Sequence, residues 1–214
     1  MDPLSRAFYN LAMRLTEALG SRGLRGATQG TGGAVLVTSA RAGEGKSLVT
    51  RAVASTSART DGRKVLLVDA NVRRPSLNGV CGIPGGAIGF ADCLAMGRPD
   101  QMLLYRSNVP CLDMMAVGQS ARPDLLFQTG AFRQFLHFYR QVYDLVLLDA
   151  DTLDATGCLP HLVDGVLLVV DASNTRREVV GGMIEHAGIE RSRFLGAVLN
   201  KREHHIPGLV YRLF

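Results

Sequence analysis

A glycine-rich segment between an apolar run and a helix-forming stretch constrains this chain more than any other feature. Residues 34–38 form the apolar, β-branched run AVLVT, residues 40–47 read ARAGEGKS, and a helix is predicted from about Lys46 to Ala58. Glycines let consecutive backbone N–H groups turn inward around an anion, and a lysine and a hydroxyl then reach the outer phosphates and magnesium. The segment therefore predicts a phosphate-binding loop between a buried strand and a helix N-terminus.

The expected ligand of this loop is a nucleoside triphosphate with magnesium, and Ser47 is also a candidate magnesium ligand. The positions predicted to contact the nucleotide are Ala42, Gly43, Glu44, Gly45, Lys46, Ser47 and Leu48. The first glycine of the usual pattern is Ala40 here, which stays small but gives up the freest backbone angles. The alternative is a glycine-rich turn that happens to precede a helix, and the strand before it favours the phosphate loop.

Further apolar and periodic segments predict the rest of the fold. Strands are predicted at 64–68, 144–148, 165–170 and 196–199, and helices at 4–19, 122–142 and 176–186. Strands that alternate with helices indicate an α/β fold with a parallel sheet covered on both faces. The glycine-rich stretch 20–33 separates the first helix from the rest, so we expect an N-terminal helix and flexible connector over residues 1–33 and a phosphate-loop domain over residues 34–214.

Two of the predicted strands lead directly into aspartates, Asp69 and Asp149. Ligands of parallel α/β sheets bind beyond the carboxyl ends of the strands, so both carboxylates are expected beside the phosphate loop. Magnesium between two phosphates needs acidic groups that hold it directly or through its waters. The alternative is that the two aspartates only cap the turns that follow.

Composition narrows the class of protein but not its partner. With 214 residues, 47% hydrophobic and 20% charged, the chain fits one globular domain. Its formal charge of +5 would attract nucleic acid, anionic lipid or phosphate-bearing ligands, but no stretch concentrates it. The apolar runs fall short of the roughly 20 residues of a membrane span, and the N-terminus lacks a secretory core, so we expect a cytoplasmic protein. Four widely spaced cysteines without a CxxC pair indicate neither a zinc site nor a disulfide framework.

Several ordered motifs resemble the bacterial protein-tyrosine kinases (BY-kinases) of capsule and exopolysaccharide synthesis, and the resemblance covers nearly the whole chain. The motifs are TSARAGEGKS, VLLVDANVRRPSL, AVGQSARPDLLF, YDLVLLDAD, VDGVLLVVDASNTRREVV and LGAVLN. The resemblance implies a P-loop NTPase fold, a doubly wound, mostly parallel sheet flanked by helices like that of the MinD and ParA ATPases, with ATP and Mg²⁺ as cofactors. It also implies a membrane polysaccharide co-polymerase as partner, which would hold the chain at the inner face of the membrane through its cytoplasmic segment. Nucleic acid is not an expected partner.

Carried over by position, the resemblance implies roles for individual residues. Lys46, Asp69 and Asp149 would form the catalytic set, with Lys46 holding phosphates and Asp69 acting as a base or orienting a water. Asp149 would support magnesium together with Ser47. Asn200 would contact the adenine, although a polar residue that only caps a strand end is the alternative.

The chain departs from the family pattern within the candidate metal site. Asn71 stands where the family usually has a second aspartate, and an amide accepts a hydrogen bond but carries no charge. The loop after Asp149 also differs from the family's, and Asp151 or Asp154 is a candidate replacement for the missing charge. Magnesium binding is therefore expected to be weaker than in the family.

Two further departures concern assembly and the phosphoacceptor. The family ties its subunits into a ring through a glutamate and two arginines on the first helix, and the aligned positions here are Arg6, Tyr9 and Ala12. The sequence therefore leaves open whether the chain forms a homo-oligomer. The family phosphorylates a cluster of tail tyrosines, whereas Tyr211 is the single tyrosine of this tail and the candidate phosphoacceptor.

We therefore predict an ATP-binding tyrosine autokinase, active or degenerate, that regulates polymerisation and export of an exopolysaccharide or capsule with a membrane co-polymerase. The alternatives are an ATP-dependent switch without kinase activity and a partition or septum-positioning ATPase. The latter proteins usually carry an extra lysine early in the loop, where this chain has Arg41 or Ala42. The RRP run after Asp69 points to the kinases.

Overall fold

Seven strands build the sheet of this protein. The computed structural model describes residues 2–24, 26, 31–120 and 130–201. The strands are β1 Gly33–Ser39, β2 Val65–Asp69, β3 Leu104–Arg106, β4 Leu112–Met115, β5 Leu145–Thr152, β6 Gly165–Asp171 and β7 Phe194–Asn200. Their order across the sheet is β3-β4-β2-β5-β1-β6-β7, and every neighbouring pair is parallel except β3–β4.

Helices cover both faces of this sheet. They are α1 Pro3–Gly20, α2 Lys46–Asp61, α3 Leu77–Cys81, α4 Phe90–Met96, α5 Gly130–Val142, α6 Leu159–Leu162 and α7 Arg177–His186, with short 3₁₀ turns at Gln101–Leu103 and Leu153–Ala155. The central strands β1, β2 and β6 are buried along their whole length, as parallel strands covered on both faces must be. The predicted α/β, mostly parallel P-loop architecture is confirmed.

The core lies in two layers, one on each side of the sheet. On one side, the aromatic rings of α4 and α5 pack together, with the Phe90 ring edge-on to that of Phe135 at a centroid distance of 5.0 Å. On the other side, Leu15 and Leu19 of α1 lie in the same apolar cluster as Val49 and Val53 of α2. Helix α1 therefore packs on helix α2. The division of the chain into two parts at residue 33 stays a prediction.

The structure differs from the sequence prediction at several elements. Strands β3 and β4 were not predicted, because they are only three and four residues long and lie at the edge of the sheet. The helix predicted over 122–142 is described from Gly130 onward, and residues 121–129 lie outside the described part of the chain. No helix among the described residues has the length and apolarity that a membrane crossing requires.

The position of Asp149 within its strand also corrects the prediction. Asp149 does not end a strand, because β5 continues to Thr152. A register shift between Val37 and Ser39 lets β1 pair with this extension, and Thr38 Oγ1 donates to the Asp151 carbonyl at 2.6 Å. Asp149 nevertheless pairs in register with Asp69, the last residue of β2, so the two aspartates lie side by side.

Candidate functional site

The segment between β1 and α2 forms a tight loop whose two glycines have left-handed backbones. Gly43 and Gly45 have φ angles of 83° and 92°, a region that L-residues with a side chain rarely adopt. A Cβ atom on Gly45 would lie 2.2 Å from Nδ2 of Asn200, so a side chain there would displace the Asn200 amide from its contact with the Glu44 carbonyl. Gly45 is also the N-cap residue of α2, so the loop ends where the helix begins.

The predicted phosphate-binding side chains lie at the start of α2. Lys46 is buried, with 7% of its surface exposed, although lysine is rarely buried without a charged partner. Ser47 is half-buried, and its Oγ accepts a hydrogen bond of 2.7 Å from Ser76 Oγ. The side chains of Ala42 and Leu48 are exposed and have no hydrogen-bond donor, so any hydrogen bond from these residues to phosphate would come from the backbone N–H.

Asp69 is fully buried at the end of β2 and is held by backbone donors. Its Oδ1 accepts from the Asn71 N–H at 3.1 Å, and its Oδ2 accepts from the Ser76 and Leu77 N–H groups at 3.2 and 3.1 Å. Burial raises the pKa of Asp69, and the three backbone hydrogen bonds oppose that shift. The carboxylate is therefore fixed in orientation and is more basic than an exposed aspartate.

Asp149 is also fully buried, and it lacks partners on one side. Its Oδ1 receives a hydrogen bond of 3.3 Å from Thr50 Oγ1, whereas its Oδ2 has no hydrogen-bond partner among the described residues. Burial raises the pKa of Asp149 to about 6, the Ser47 hydroxyl lowers it, and the Asp69 charge raises it again. A buried carboxylate oxygen without a donor is costly unless a cation or water reaches it.

The oxygen atoms of this site fit a magnesium ion. The Ser47 hydroxyl and the Asp69 and Asp149 carboxylates are hard oxygen ligands of the kind that Mg²⁺ prefers. The described residues contain no cluster of three or more His, Cys, Asp or Glu side chains that would form a complete protein cage. Magnesium keeps several waters and is usually held by one or two carboxylates plus substrate phosphates, so the small set agrees with this ion. Ser47 and Asp149 are the residues that would hold it.

Two residues of this neighbourhood, Thr50 and Ser76, were not identified from the sequence. Thr50 lies one helical turn after Lys46 and contacts Asp149, and Ser76 contacts Ser47 across the loop. Glu44 is predicted as a nucleotide contact, but its side chain is 2% exposed and accepts hydrogen bonds from Asp171, the last residue of β6, and from Thr175. In the sequence, the i, i+4 spacing places Thr50 on the same face of α2 as Lys46, one turn later. The other contacts join distant segments and leave no local signal.

The remaining predicted residues have different outcomes. Asn200 lies at the loop, where its Nδ2 donates to the Glu44 carbonyl at 2.8 Å, and its contact with adenine stays a prediction. Asp151 accepts from its own neighbour Thr152, and Asp154 lines a groove beside α7, so a compensating metal role stays a prediction for either. Tyr211 lies outside the described residues.

The sequence of this chain is similar to those of known tyrosine-protein kinases. No family model matches the chain. Over 169 residues it is 28% identical to tyrosine-protein kinase CpsD of Streptococcus agalactiae, covering 77% of this chain and 72% of that protein. It is 27% identical over 173 residues to tyrosine-protein kinase YwqD of Bacillus subtilis, covering 79% and 72%.

Solved structures with the same fold include kinases and septum-site ATPases. The VpsO kinase domain superposes with a TM-score of 0.78 at 24% identity, covering 93% of this chain and 96% of that one. The septum site-determining protein MinD of Pyrococcus horikoshii, solved with Mg-ADP, has a TM-score of 0.62 at 21% identity and covers 84% and 75%. At these identities the solved structures show the fold, and the evidence for the family comes from the sequence relatives. These relatives, together with motifs in the family's order, support the family of bacterial protein-tyrosine kinases for this chain.

Proposed function

We propose that this protein binds ATP with magnesium at the loop of residues 40–47 and transfers the terminal phosphoryl group to tyrosine. The observation that carries the proposal is the meeting of a buried lysine, Lys46, with two fully buried carboxylates at the carboxyl edge of the sheet. Oδ2 of Asp149, which has no hydrogen-bond partner in the described part of the chain, gives this set an open position for a cation. The likeness to tyrosine-protein kinases supports phosphoryl transfer as the reaction type.

The side chains would divide the work by charge and position. Phosphoryl transfer needs little covalent help from a protein and depends on positioning and charge neutralisation. Lys46 would bind the outer phosphates, and the loop N–H groups would bind the inner ones, while bound magnesium supplies further neutralisation of the phosphate charge. Asp69, fixed by three backbone hydrogen bonds and with a raised pKa, would accept the proton of the tyrosine hydroxyl or orient it.

The acceptor and the partner follow from the family. Tyr211 is the candidate acceptor, in another copy of the chain or in the same one. A membrane polysaccharide co-polymerase would recruit the protein to the inner face of the membrane through its cytoplasmic segment. The chain also matches the succinoglycan biosynthesis transport protein ExoP of Rhizobium meliloti at 28% identity, over 22% of that protein. This likeness supports a role in polysaccharide export rather than in plasmid partition.

Mass spectrometry of phosphotyrosine after incubation with Mg·ATP tests the proposal. Label at Tyr211 is expected in the unaltered chain and is expected to be lost in Lys46→Ala and in Asp69→Asn. Lys64→Ala, which changes an exposed lysine outside the loop, is the matched control and should keep the label. Calorimetry should show that Lys46→Ala loses ATP binding and that Lys64→Ala keeps it.

The outcomes separate the competing functions. ATP binding without any phosphotyrosine, with the co-polymerase segment present, would favour a nucleotide-dependent switch. Tight ATP binding by Lys46→Ala would contradict the site itself. ATP-dependent DNA binding that is lost at raised salt would revive the partition-type alternative.

A further inference from the structure

The buried carboxylate of Glu44 ties the phosphate loop to the neighbouring strand ends. Its Oε2 accepts from the Arg41 N–H at 2.8 Å, which closes the loop on itself. Its Oε1 accepts from the Asp171 N–H at 3.0 Å and from Thr175 Oγ1 at 2.6 Å, at the end of β6 and just before α7. An acidic side chain beside a polyphosphate would repel it, so its engagement with these three donors gives the carboxylate a structural task away from the anion.

Two side chains from the end of β7 hold the outer carbonyls of the same loop. Lys201 Nζ donates to the Gly43 carbonyl at 2.7 Å and lies 3.4 Å from Oδ2 of Asp171. Asn200 Nδ2 donates to the Glu44 carbonyl at 2.8 Å. Lys201 has a φ of 54°, a left-handed conformation unfavourable for a lysine, so the contacts that it makes must offset this strain.

Peptide geometry converts these contacts into a direction for the loop N–H groups. In a planar trans peptide the C=O and the following N–H point in opposite directions. Holding the Gly43 carbonyl therefore turns the Glu44 N–H the other way, and holding the Glu44 carbonyl does the same for the Gly45 N–H. Both N–H groups therefore point away from the side chains of Asn200, which ends β7, and Lys201, which follows it.

We propose that Glu44, Asn200 and Lys201 form a clamp that preorganises the phosphate loop, so that Lys201 and the Glu44 side chain are positioning residues for phosphate binding. The proposal rests on the proposed nucleotide site and goes beyond it, because neither side chain needs to touch the nucleotide. Loop amides fixed before binding lose less freedom when the anion arrives, so the clamp raises affinity for the polyphosphate part of the ligand.

Glu44→Gln tests the clamp with almost no change of shape. The carboxylate accepts three hydrogen bonds on two oxygens, whereas an amide has one acceptor oxygen and an NH₂ group. One backbone N–H, of Arg41 or of Asp171, would then face a donor. We expect the Kd for Mg·ATP to rise about tenfold, in line with the usual cost of a buried unsatisfied donor. Glu178→Gln, an exposed glutamate in the first turn of α7, is the matched control.

Lys201→Met tests the second half of the clamp. The Lys201 side chain is 51% exposed, so solvent screens its interactions and we expect a rise of about threefold in Kd. Lys201→Arg keeps a donor within reach and should restore most of the affinity, and Lys64→Met is the matched control.

Calorimetric titrations with Mg·ATP and with inorganic tripolyphosphate, together with thermal unfolding of the nucleotide-free protein, decide the outcome. We expect both ligands to bind the two clamp variants more weakly than their controls, and the unsatisfied buried N–H of Glu44→Gln to lower its melting temperature by about 2 to 4 °C as well. Lower melting temperatures with unchanged Kd values would overturn the clamp and leave a merely structural role. Binding by Glu44→Gln as tight as by Glu178→Gln would also overturn it while leaving the proposed function standing, whereas absence of ATP binding by the unaltered chain would overturn both.

Discussion

Asp69 and Asp149 occupy paired register positions on the adjacent strands β2 and β5, and both are completely buried. Two carboxylates side by side in a low-dielectric interior repel one another, and burial alone already disfavours their charged forms. Backbone donors compensate Asp69, but Oδ2 of Asp149 has no partner among the described residues. The protein therefore keeps an electrostatic cost at this edge that a divalent cation would relieve.

The first prediction concerns the stability of Asp149→Asn without metal. Burial raises the pKa of Asp149 from its ordinary value of 3.8 to about 6. Below the unfolded pKa the carboxyl is protonated in both states and costs nothing, and the penalty grows as pH rises to the folded pKa and is complete above it. In EDTA at pH 7.5, Asp149→Asn should therefore be more stable than the unaltered chain by roughly 3 kcal/mol.

Chemical denaturation at pH 7.5 and at pH 4.5 measures this difference. The gain should fall to roughly 1 kcal/mol at pH 4.5, where the native carboxyl is protonated and the unfolded one is still mostly ionised. A gain of the same size at both values would show that the side-chain amide stabilises the site for a reason other than charge. Asp151→Asn, which changes a nearby aspartate that is only half-buried, is the control.

The second prediction is that magnesium affinity rises with pH through about 6. A proton and a cation compete for the Asp149 carboxylate, and the site must lose its proton before the metal binds. Between pH 5 and pH 7.5 the apparent Kd for Mg²⁺, measured calorimetrically with bound ADP, should fall by roughly tenfold. A Kd that does not change over this range would mean that Asp149 is not a ligand of the ion.

The third prediction compares two left-handed glycines at opposite ends of α2. Gly62 has a φ of 61° and open space around it, so Gly62→Ala should cost only the backbone strain of about 1 kcal/mol. Gly45→Ala adds a clash with Asn200 Nδ2, and we expect it to cost at least about 2 kcal/mol and to weaken ATP binding. Urea denaturation and ATP calorimetry of both variants check this, and equal behaviour of the two would exclude close contact of Gly45 with Asn200.

The fourth prediction is a gain of stability in α7. Gly181 lies within this helix, is exposed, and would meet no atom within 4 Å if it carried a Cβ. Gly181→Ala should therefore stabilise the protein by about 0.5 to 1 kcal/mol, because alanine loses less conformational freedom in a helix. Thermal unfolding measures the effect. A loss of stability would indicate that this surface is covered in the molecule as it exists in solution.

Local chemistry explains which parts of the site could be predicted. The residues of the loop, including Lys46 and Ser47, are consecutive, so the sequence alone shows that they lie together. The strands before Asp69 and Asp149 are apolar runs, as buried strands of a parallel sheet must be. The edge strands β3 and β4 were missed because short segments carry little periodicity. The extension of β5 beyond Asp149 was missed because it depends on a register shift in another strand, β1.

The sequence by itself determined the phosphate loop, the α/β class, five of the seven strands and the order of the motifs, since each depends on neighbouring residues and on the alternation of buried strands with helices. Only the tertiary structure decided that Asp69 and Asp149 lie in register, that one oxygen of Asp149 lacks a partner within the residues the structure describes, and that Glu44 reaches Asp171 across 127 residues of chain. These contacts join segments far apart in sequence, and their geometry is set by how the strands pack rather than by any local preference of the residues involved.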